Sequence, residues 1–559
     1  MSDRRVIESG GAAAGVSRRA MLLGAGALIA TSSGDAGAQV SPKPKGPPQA
    51  PKGQVVVGFS QEITVLHPLM GANEVDQGVW WNLFSPLWGL DSAGTLVPAL
   101  AKVIPSVANG GLSADGLQWR IELRDDVKWH DGRDFTAEDV KFTLELTQNP
   151  QFRVRSRAGY NLVQDIKTEG KTVVTWRMKE PFAPFMSMLA WTFVVPKHLL
   201  DGVADPNATP FHSMPVGTGP FKFVERKTGS HVLLEANPAY FGSGPYLERL
   251  VFRYIPDLNA MYTQFRTGEI DYIGLQGIPP NHYAEAKTLK GVAVHLCPRA
   301  SVENLTLNLA HPALKDKAVR QALYFGMDQK AIVEALYYGL PMPASSFMAP
   351  QSWAFNDKLP PHVHDPVKAK AILEAAGWKP GPDGVRVKDG VRLAFTNSTT
   401  TGNPTREQAQ QLLAQDWAKI GVAMTIKNMP AAVLWAKFWS ESQFDSLMTN
   451  TTYTVASDPD VMHRFGSKAI PAKTGMGSNV SQYENPQVDA LLAKGILVSD
   501  QAERAALYRE AQARIVADLP MLPIFQSVQV EGTKAGLVGF SNNVNVLSNT
   551  WNAGSWYWA

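Results

Sequence analysis

The chain has 559 residues, with 53 Lys and Arg against 50 Asp and Glu and a formal net charge of +3. Apolar residues make up 45% and charged residues 18%, the balance of a globular protein, which excludes long disordered tracts. Near-neutrality supplies no general attraction to nucleic acid or to an acidic membrane, and the length allows two or three domains at ~150 residues each.

In chain order, the first residues read as targeting. Ser17-Arg18-Arg19-Ala20-Met21-Leu22 resembles the twin-arginine export motif. The apolar run that follows, residues 21–30, is too short to span a bilayer. Ala36-Gly37-Ala38 fits a small-x-small cleavage site, so residues 1–38 are read as a signal peptide cut before Gln39. No lipobox cysteine lies near the cut, and the mature protein is expected to be free and soluble in the periplasm. Residues 39–53, rich in Pro and Lys, form an extended linker.

Residues 55–59 (Val-Val-Val-Gly-Phe) read as a buried strand. Residues 117–123 alternate apolar and polar with period two, a half-buried strand. Residues 171–178, 232–235 and 250–255 are further strands. Thr136 and Asp139 form a variant capping box that opens a helix. Asp365-Pro366 opens another, which stops at Gly377. Residues 406–420 place Ala409, Leu412, Leu413, Trp417 and Ile420 on one helical face. Residues 501–519 form a helix ended by Pro520. Strand and helix signals mix from end to end, which predicts an α/β fold with mixed sheets. The single cysteine, Cys297, excludes an internal disulfide and reads as a small buried apolar side chain.

Residues 113–142 are the most specific stretch. They contain Leu123-Arg124, Trp129-His130-Asp131-Gly132 and Thr136-Ala137-Glu138-Asp139-Val140. This resembles the signature of extracellular solute-binding protein family 5, the dipeptide, oligopeptide and nickel binding proteins of ABC importers. His130 and Asp131 beside Gly132 read as a structural turn rather than a catalytic pair. Further blocks follow in family order. They are residues 215–221 with Gly217-Thr218-Gly219-Pro220, then 237–241, 265–271, 305–308, 317–328, 484–489 and 519–523.

The resemblance implies a clamp like the type II periplasmic binding proteins, two lobes with mixed sheets plus an extra domain. Lobe I would comprise residues 54–90, 210–300 and 515–559; the extra domain, 91–209; lobe III, 301–514. The lobes would close by hinge motion around one ligand and deliver it to an ABC permease. A monomer, no cofactor, no nucleic-acid partner and no catalytic residue are implied.

By resemblance, aromatic and polar groups between the lobes hold the ligand. Trp80, Trp81, Thr401, Asn403, Trp435, Asn450, Thr451, Tyr453 and Asp458 are the candidates. Peptide binders carry an aromatic followed three residues on by an Asp for the ligand's ammonium. Aligned so, Tyr453 is the aromatic and Ala456 falls at the Asp place; a one-residue gap brings in Asp458. Asp458 and Asp460 otherwise match a downstream Asp-Pro-Asp. The run from Thr399 to Asn403, where peptide binders often place an Arg for the carboxylate, lacks one, and Arg406 reads as helical. A ligand without free termini (an opine, a sugar, a capped peptide) is the alternative to a peptide. Pro361-His362-Val363-His364-Asp365 raises a metal-chelate alternative, although Asp365 is already a helix cap. An exported hydrolase is the rival from another class, but the chain lacks both Gly-x-Ser-x-Gly and His-Glu-x-x-His.

Overall fold

The computed structural model describes residues 46–71, 73–454 and 458–559. The expected signal peptide, its cleavage site, Ala456 and the first part of the linker lie outside the described residues. The Val55-Val56-Val57 run forms the strand Gln54–Phe59 and is buried on both faces. It pairs in parallel with Arg249–Tyr254 on one side and Tyr272–Ile273 on the other. A strand covered this way needs continuous apolar residues instead of alternation.

It sits inside an 11-stranded mixed sheet. From one edge the path runs Ala423–Ile426, Ala394–Ser398, Ser446–Thr451, Val292–Leu307, Met521–Lys534, Tyr272–Ile273, Gln54–Phe59, Arg249–Tyr254, His231–Ala236 and Phe221–Lys227. Met342–Pro343 adds a short pairing to Met521–Lys534. The two longest strands, Val292–Leu307 and Met521–Lys534, run antiparallel and join the two halves of this sheet. Their register breaks between Pro298 and Val302. Cys297 is buried on the first of them, as a small apolar residue would be.

The alternating segment forms Gln118–Glu122, with Trp119 and Ile121 inward. It belongs to a separate antiparallel sheet, in which Val173–Met178 is central and Val163–Glu169 is the other edge. The helix Ala137–Gln148 packs on this sheet. The Asp139 carboxylate accepts the Thr136 backbone N–H at 2.9 Å, the side-chain half of the expected capping box. Asp365 caps Pro366–Ala375 through Lys368 N at 2.8 Å. The helix expected from 406 begins two residues earlier, at Pro404, because Asn403 is its cap. Gln501–Asp518 ends where Leu519 turns left-handed before Pro520.

The three largest hydrophobic clusters divide the chain. One gathers residues between 55 and 84, 193 and 275, and 537 and 556, with Leu146 and Phe152 reaching in. A second lies within 87–194 and a third within 305–525.

Two of the sequence blocks meet in space. His130 Nδ1 accepts the Gly217 N–H at 3.1 Å, and its Nε2 lies 3.1 Å from the Gly219 carbonyl. Burial holds this imidazole near a pKa of about 4, so it is neutral at physiological pH and can accept and donate at once. Asp131 pairs with His198 at 2.7 Å, and Gly132 takes a positive φ in the turn. The turn reading of this block is thereby explained: it clamps the Gly217–Gly219 segment against the end of the helix Glu74–Leu83. A Cβ on Gly217 would lie 1.8 Å from the Leu83 carbonyl oxygen, a backbone atom that cannot give way. Gly217→Ala is therefore expected to cost at least ~1–3 kcal/mol of folding stability, checked by urea denaturation. Gly229→Ala serves as a milder control, since only its positive φ, and no close atom, opposes a side chain.

Candidate ligand-binding site

The register break between the long strands places Arg299, Ala300 and Ser301 on one strand, and Ser527 on the other, outside regular pairing. All four line a cavity of about 1070 Å³. Glu74 and Gln77 enter from the first turn of the helix Glu74–Leu83, and Arg155, Tyr160 and Trp191 from the 87–194 region. Asn450, Asp460 and His463 close the opposite wall. The cavity therefore draws on all three core-bearing regions and sits where the sheet halves join.

Arg299 fixes one wall. Its guanidinium donates to the Leu547 carbonyl at 2.9 Å, to Glu74 at 3.0 Å, to Glu531 at 3.1 Å and to Gln529. Glu531 is fully buried and also accepts from Tyr272 Oη at 2.7 Å and Asn549 at 3.0 Å. A buried carboxylate with this many donors is satisfied. Burial pushes the Glu74 carboxyl above its usual range, opposed by Arg299 and reinforced by Glu531.

Four other groups at the wall are incompletely satisfied. Arg155 takes no side-chain hydrogen bond or ion pair among the described residues. It stays open to water, yet the cleft desolvates it enough to lower its pKa while the guanidinium remains charged. Asp460 is 7% exposed, and burial, with the Asp458 charge beside it, raises its pKa to about 6. His463 is lowered to about 4 by burial, with Arg464 adding to the effect, so its ring is neutral near pH 7. His463 Nδ1 and Gln77 Oε1 are buried without a hydrogen-bond partner among the described residues. Orphaned polar atoms cost stability, and at a cavity wall they are ready for a ligand.

The nine sequence candidates fall elsewhere, with one exception. Asn450 lines the cavity and donates to Ser527 Oγ, across the intervening strand Val292–Leu307. Thr451 beside it shares a hydroxyl contact with Thr449 at 3.2 Å and is no wall residue, though Thr452 and Thr454 are. Tyr453 packs in a core cluster, stacked on Phe465 at 5.3 Å, with its hydroxyl on Asn304 at 3.0 Å. Asp458 forms a buried two-point ion pair with Arg504, at 2.7 and 2.9 Å. Trp80 is 1% exposed and donates to the Val65 carbonyl at 3.0 Å; Trp81 packs edge-on to Phe193 at 4.9 Å. The Thr401 backbone N–H donates to the Met429 carbonyl at 2.9 Å, beside a parallel bridge between Thr400 and Met429, and Asn403 caps its helix. Trp435 is 47% exposed, edge-on to Trp439. Of the nine, Asn450 lines this cavity, together with Arg155, Asp460, His463 and Gln77.

The His362–His364 segment is similarly employed. His362 Nε2 contacts the Tyr324 carbonyl at 2.8 Å, and His364 lies 3.2 Å from Asp328. Among the described residues no group of three or more His, Cys, Asp or Glu is placed to hold a metal, and no helix is long and apolar enough to cross a membrane.

The sequence profile of the bacterial extracellular solute-binding proteins, family 5 Middle, matches residues 95–472. The chain belongs to this family. It is 28% identical to the oligopeptide-binding protein AppA of Bacillus subtilis over 486 residues, which are 86% of this chain and 87% of that protein. The structure of that AppA in complex with a nonapeptide superposes with a TM-score of 0.74 at 27% identity, over 92% of this chain and 100% of the other. NikZ from Campylobacter jejuni, solved with Ni(L-His), gives 0.76 at 28% identity over 90% and 99%. The ABC transporter substrate-binding protein CtaP of Listeria monocytogenes gives 0.78 at 26% over 91% and 99%. The type II periplasmic binding fold is thereby shown for this family member. Arg155 to Tyr160 and Asp460 to His463 all lie inside the matched stretch; Glu74 and Gln77 lie before it.

Proposed function

We propose that this protein is the periplasmic capture subunit of an ABC importer for peptides or peptide-like solutes, and that it makes and breaks no covalent bond. The observation that carries the reading is the presence of two opposite charges without an ion-pair partner among the described residues, Arg155 and Asp460, on one cavity at the junction of the sheet halves. Among those residues the Asp460 carboxylate accepts only backbone N–H groups, that of Met462 at 2.9 Å included. A zwitterionic solute matches both: its carboxylate to the guanidinium, its ammonium to Asp460. The amide groups between them would meet Gln77 and His463. Residues 54–90, 210–300 and 515–559 would move as one lobe, 301–514 as the other, with 91–209 carried as the extra domain. Closure would strengthen the polar contacts by excluding water, and only differential affinity for the closed form would drive it. Twin-arginine export with cleavage before Gln39, a monomeric state and hand-over to membrane permease subunits complete the proposal.

Thermal-shift screening of di- to pentapeptides against sugars, opines and metal chelates tests it, since a ligand of the folded state raises the melting temperature. Stabilisation by peptides, with compaction in small-angle scattering, is the expected result. Stabilisation by non-peptides alone, or turnover of any ligand, overturns it.

A pH effect follows from Asp460. Its pKa is raised from 3.8 to about 6, so the folded protein favours the neutral acid. That contribution to ligand-free stability is fully present below pH ~4 and is lost as pH rises through about 6, a difference of about 3 kcal/mol. Asp460→Asn should therefore make the ligand-free protein more stable than wild type at pH 7 and flatten its stability between pH 4 and 6. Urea titrations at several pH values measure this. In the same variant, affinity for an ammonium-bearing ligand should fall at pH 7.

A further inference from the structure

Arg155 reaches the cleft from a loop, residues 152–157, and a loop must be held if its side chain is to meet a ligand at one place. Two of the holds lie within or beside the loop. The Arg153 N–H donates to Asn207 Oδ1 at 2.7 Å, and Arg157 turns back on the Asn149 and Phe152 carbonyls. The third comes from the turn at residues 67–70: the Arg155 N–H itself donates to the Leu69 carbonyl at 2.9 Å. Pro68 and Leu69 line the same cavity as Arg155.

His67 shapes that turn. Its Nδ1 accepts the Leu69 N–H at 3.3 Å, and its carbonyl accepts the Met70 N–H at 3.2 Å. An acceptor that reaches the N–H two residues on is what Asn and Asp side chains usually supply. The imidazole is fully buried among Phe152, Phe211 and His212, whose ring centroids lie 5.2, 5.2 and 5.1 Å away. Phe152 opens the Arg155 loop, so the ring touches the loop as well as the turn. Burial, with His212 adding to it, lowers the His67 pKa to about 3, so the ring is neutral and Nδ1 is free to accept. Its Nε2 is buried without a hydrogen-bond partner among the described residues. A Phe would fill this aromatic box without that unsatisfied group, so the box alone does not account for an imidazole. We infer that His67 is a positioning residue for the carboxylate anchor: its Nδ1 sets the turn whose Leu69 carbonyl holds the Arg155 backbone, and thereby the place where the guanidinium meets the ligand. This rests on the reading of Arg155 given above.

The test uses isothermal titration of the full mature protein with Ala-Ala, Ala-Ala-Ala, Ala-Ala-Ala-Ala and their C-terminal amides. His67→Phe, which keeps a ring and removes the acceptor, should weaken the free acids about fivefold or more and the amides little. In an Arg155→Ala background it should add no further loss. His67→Asn gives up the ring but places Oδ1 where Nδ1 lies, and should bind the acids more tightly than His67→Phe. Hydrogen exchange at the Arg155 amide should quicken in His67→Phe and stay near wild type in His67→Asn. Should His67→Phe fail to fold, His67→Asn against His67→Gln carries the same comparison, since both lack the ring and only the first sets its oxygen at the Nδ1 position. Acid and amide affinities that fall alike, or a His67→Asn no better than its comparison variant, overturn the inference and leave the peptide reading standing. Binding of none of the six peptides by the wild type removes the peptide reading, and the inference with it.

Discussion

Asp458→Ala is expected to destabilise the protein by about 3–5 kcal/mol, because it strands the Arg504 guanidinium in a buried position. The pair is two-point, at 2.7 and 2.9 Å, with side chains 1% and 7% exposed. Arg504 keeps bonds to the Gly495 carbonyl and a longer contact to Tyr508 at 3.4 Å, but neither supplies a negative charge. The double variant Asp458→Leu with Arg504→Met should recover much of the loss, since an apolar pair of similar size removes both desolvation costs. Chemical denaturation of Asp458→Leu, Arg504→Met and the double variant measures this as a cycle. A small loss on removing Asp458, comparable to a surface substitution of about 0.5 kcal/mol, would show that Arg504 is hydrated or repartnered. The comparison with Asp460→Asn separates two carboxylates only two residues apart. One should lower stability sharply when removed, and the other should raise it at neutral pH and weaken ligand binding.

Arg155→Ala is expected to weaken a carboxylate-bearing ligand by about 10- to 100-fold, the size of one charge-assisted hydrogen-bond set of ~1.5–3 kcal/mol. Folding stability should change by no more than ~0.5 kcal/mol, because no side-chain partner among the described residues is lost. Amidation of the ligand's carboxylate should cost the wild type a similar factor and cost the variant little, which makes the pair a double-mutant cycle across the interface. Arg155→Lys should restore charge but not the planar fork, and recover part of the affinity. Full affinity in Arg155→Ala would move the anionic pole elsewhere in the cleft.

Local signals in this sequence translate well into structure. The Val55-Val56-Val57 run, the alternation through Trp119 and Ile121 and the Asp365-Pro366 cap each depend on a few neighbouring residues, and each forms near its expected place. The helical face of Ala409, Leu413, Trp417 and Ile420 is buried in one core. Family resemblance carries the overall architecture further than periodicity alone could. The wall of the cavity is less legible, because it depends on contacts distant in sequence. Tyr453 and Asp458 have the residue types of a ligand site, but Phe465 and Asn304 claim the first and Arg504, 46 positions away, claims the second. Asn403 looks like a polar loop residue, yet Pro404 after it signals the cap it becomes. Arg155 did leave a trace. Arg153, Arg155 and Arg157 alternate in a stretch with no acidic residue nearby to neutralise them. Arg157 turns to the Asn149 and Phe152 carbonyls, and Arg155 faces the cleft. Composition could flag that cluster but could not tell which arginine stays unpaired.

The pairing of Val292–Leu307 with Met521–Lys534 also has a consequence for biosynthesis. Val292 pairs with Lys534 and Thr306 with Met521, so the ribosome makes more than two hundred intervening residues before this ladder can form. Met521–Lys534 also closes against Tyr272–Ile273, which makes it the last piece of the sheet on both sides. A nascent chain arrested before Met521 would present two open strand edges at once, a template for aggregation. Either half of the sheet is thus completed late in translation, and an export route that accepts only folded cargo would have to wait for those final strand residues.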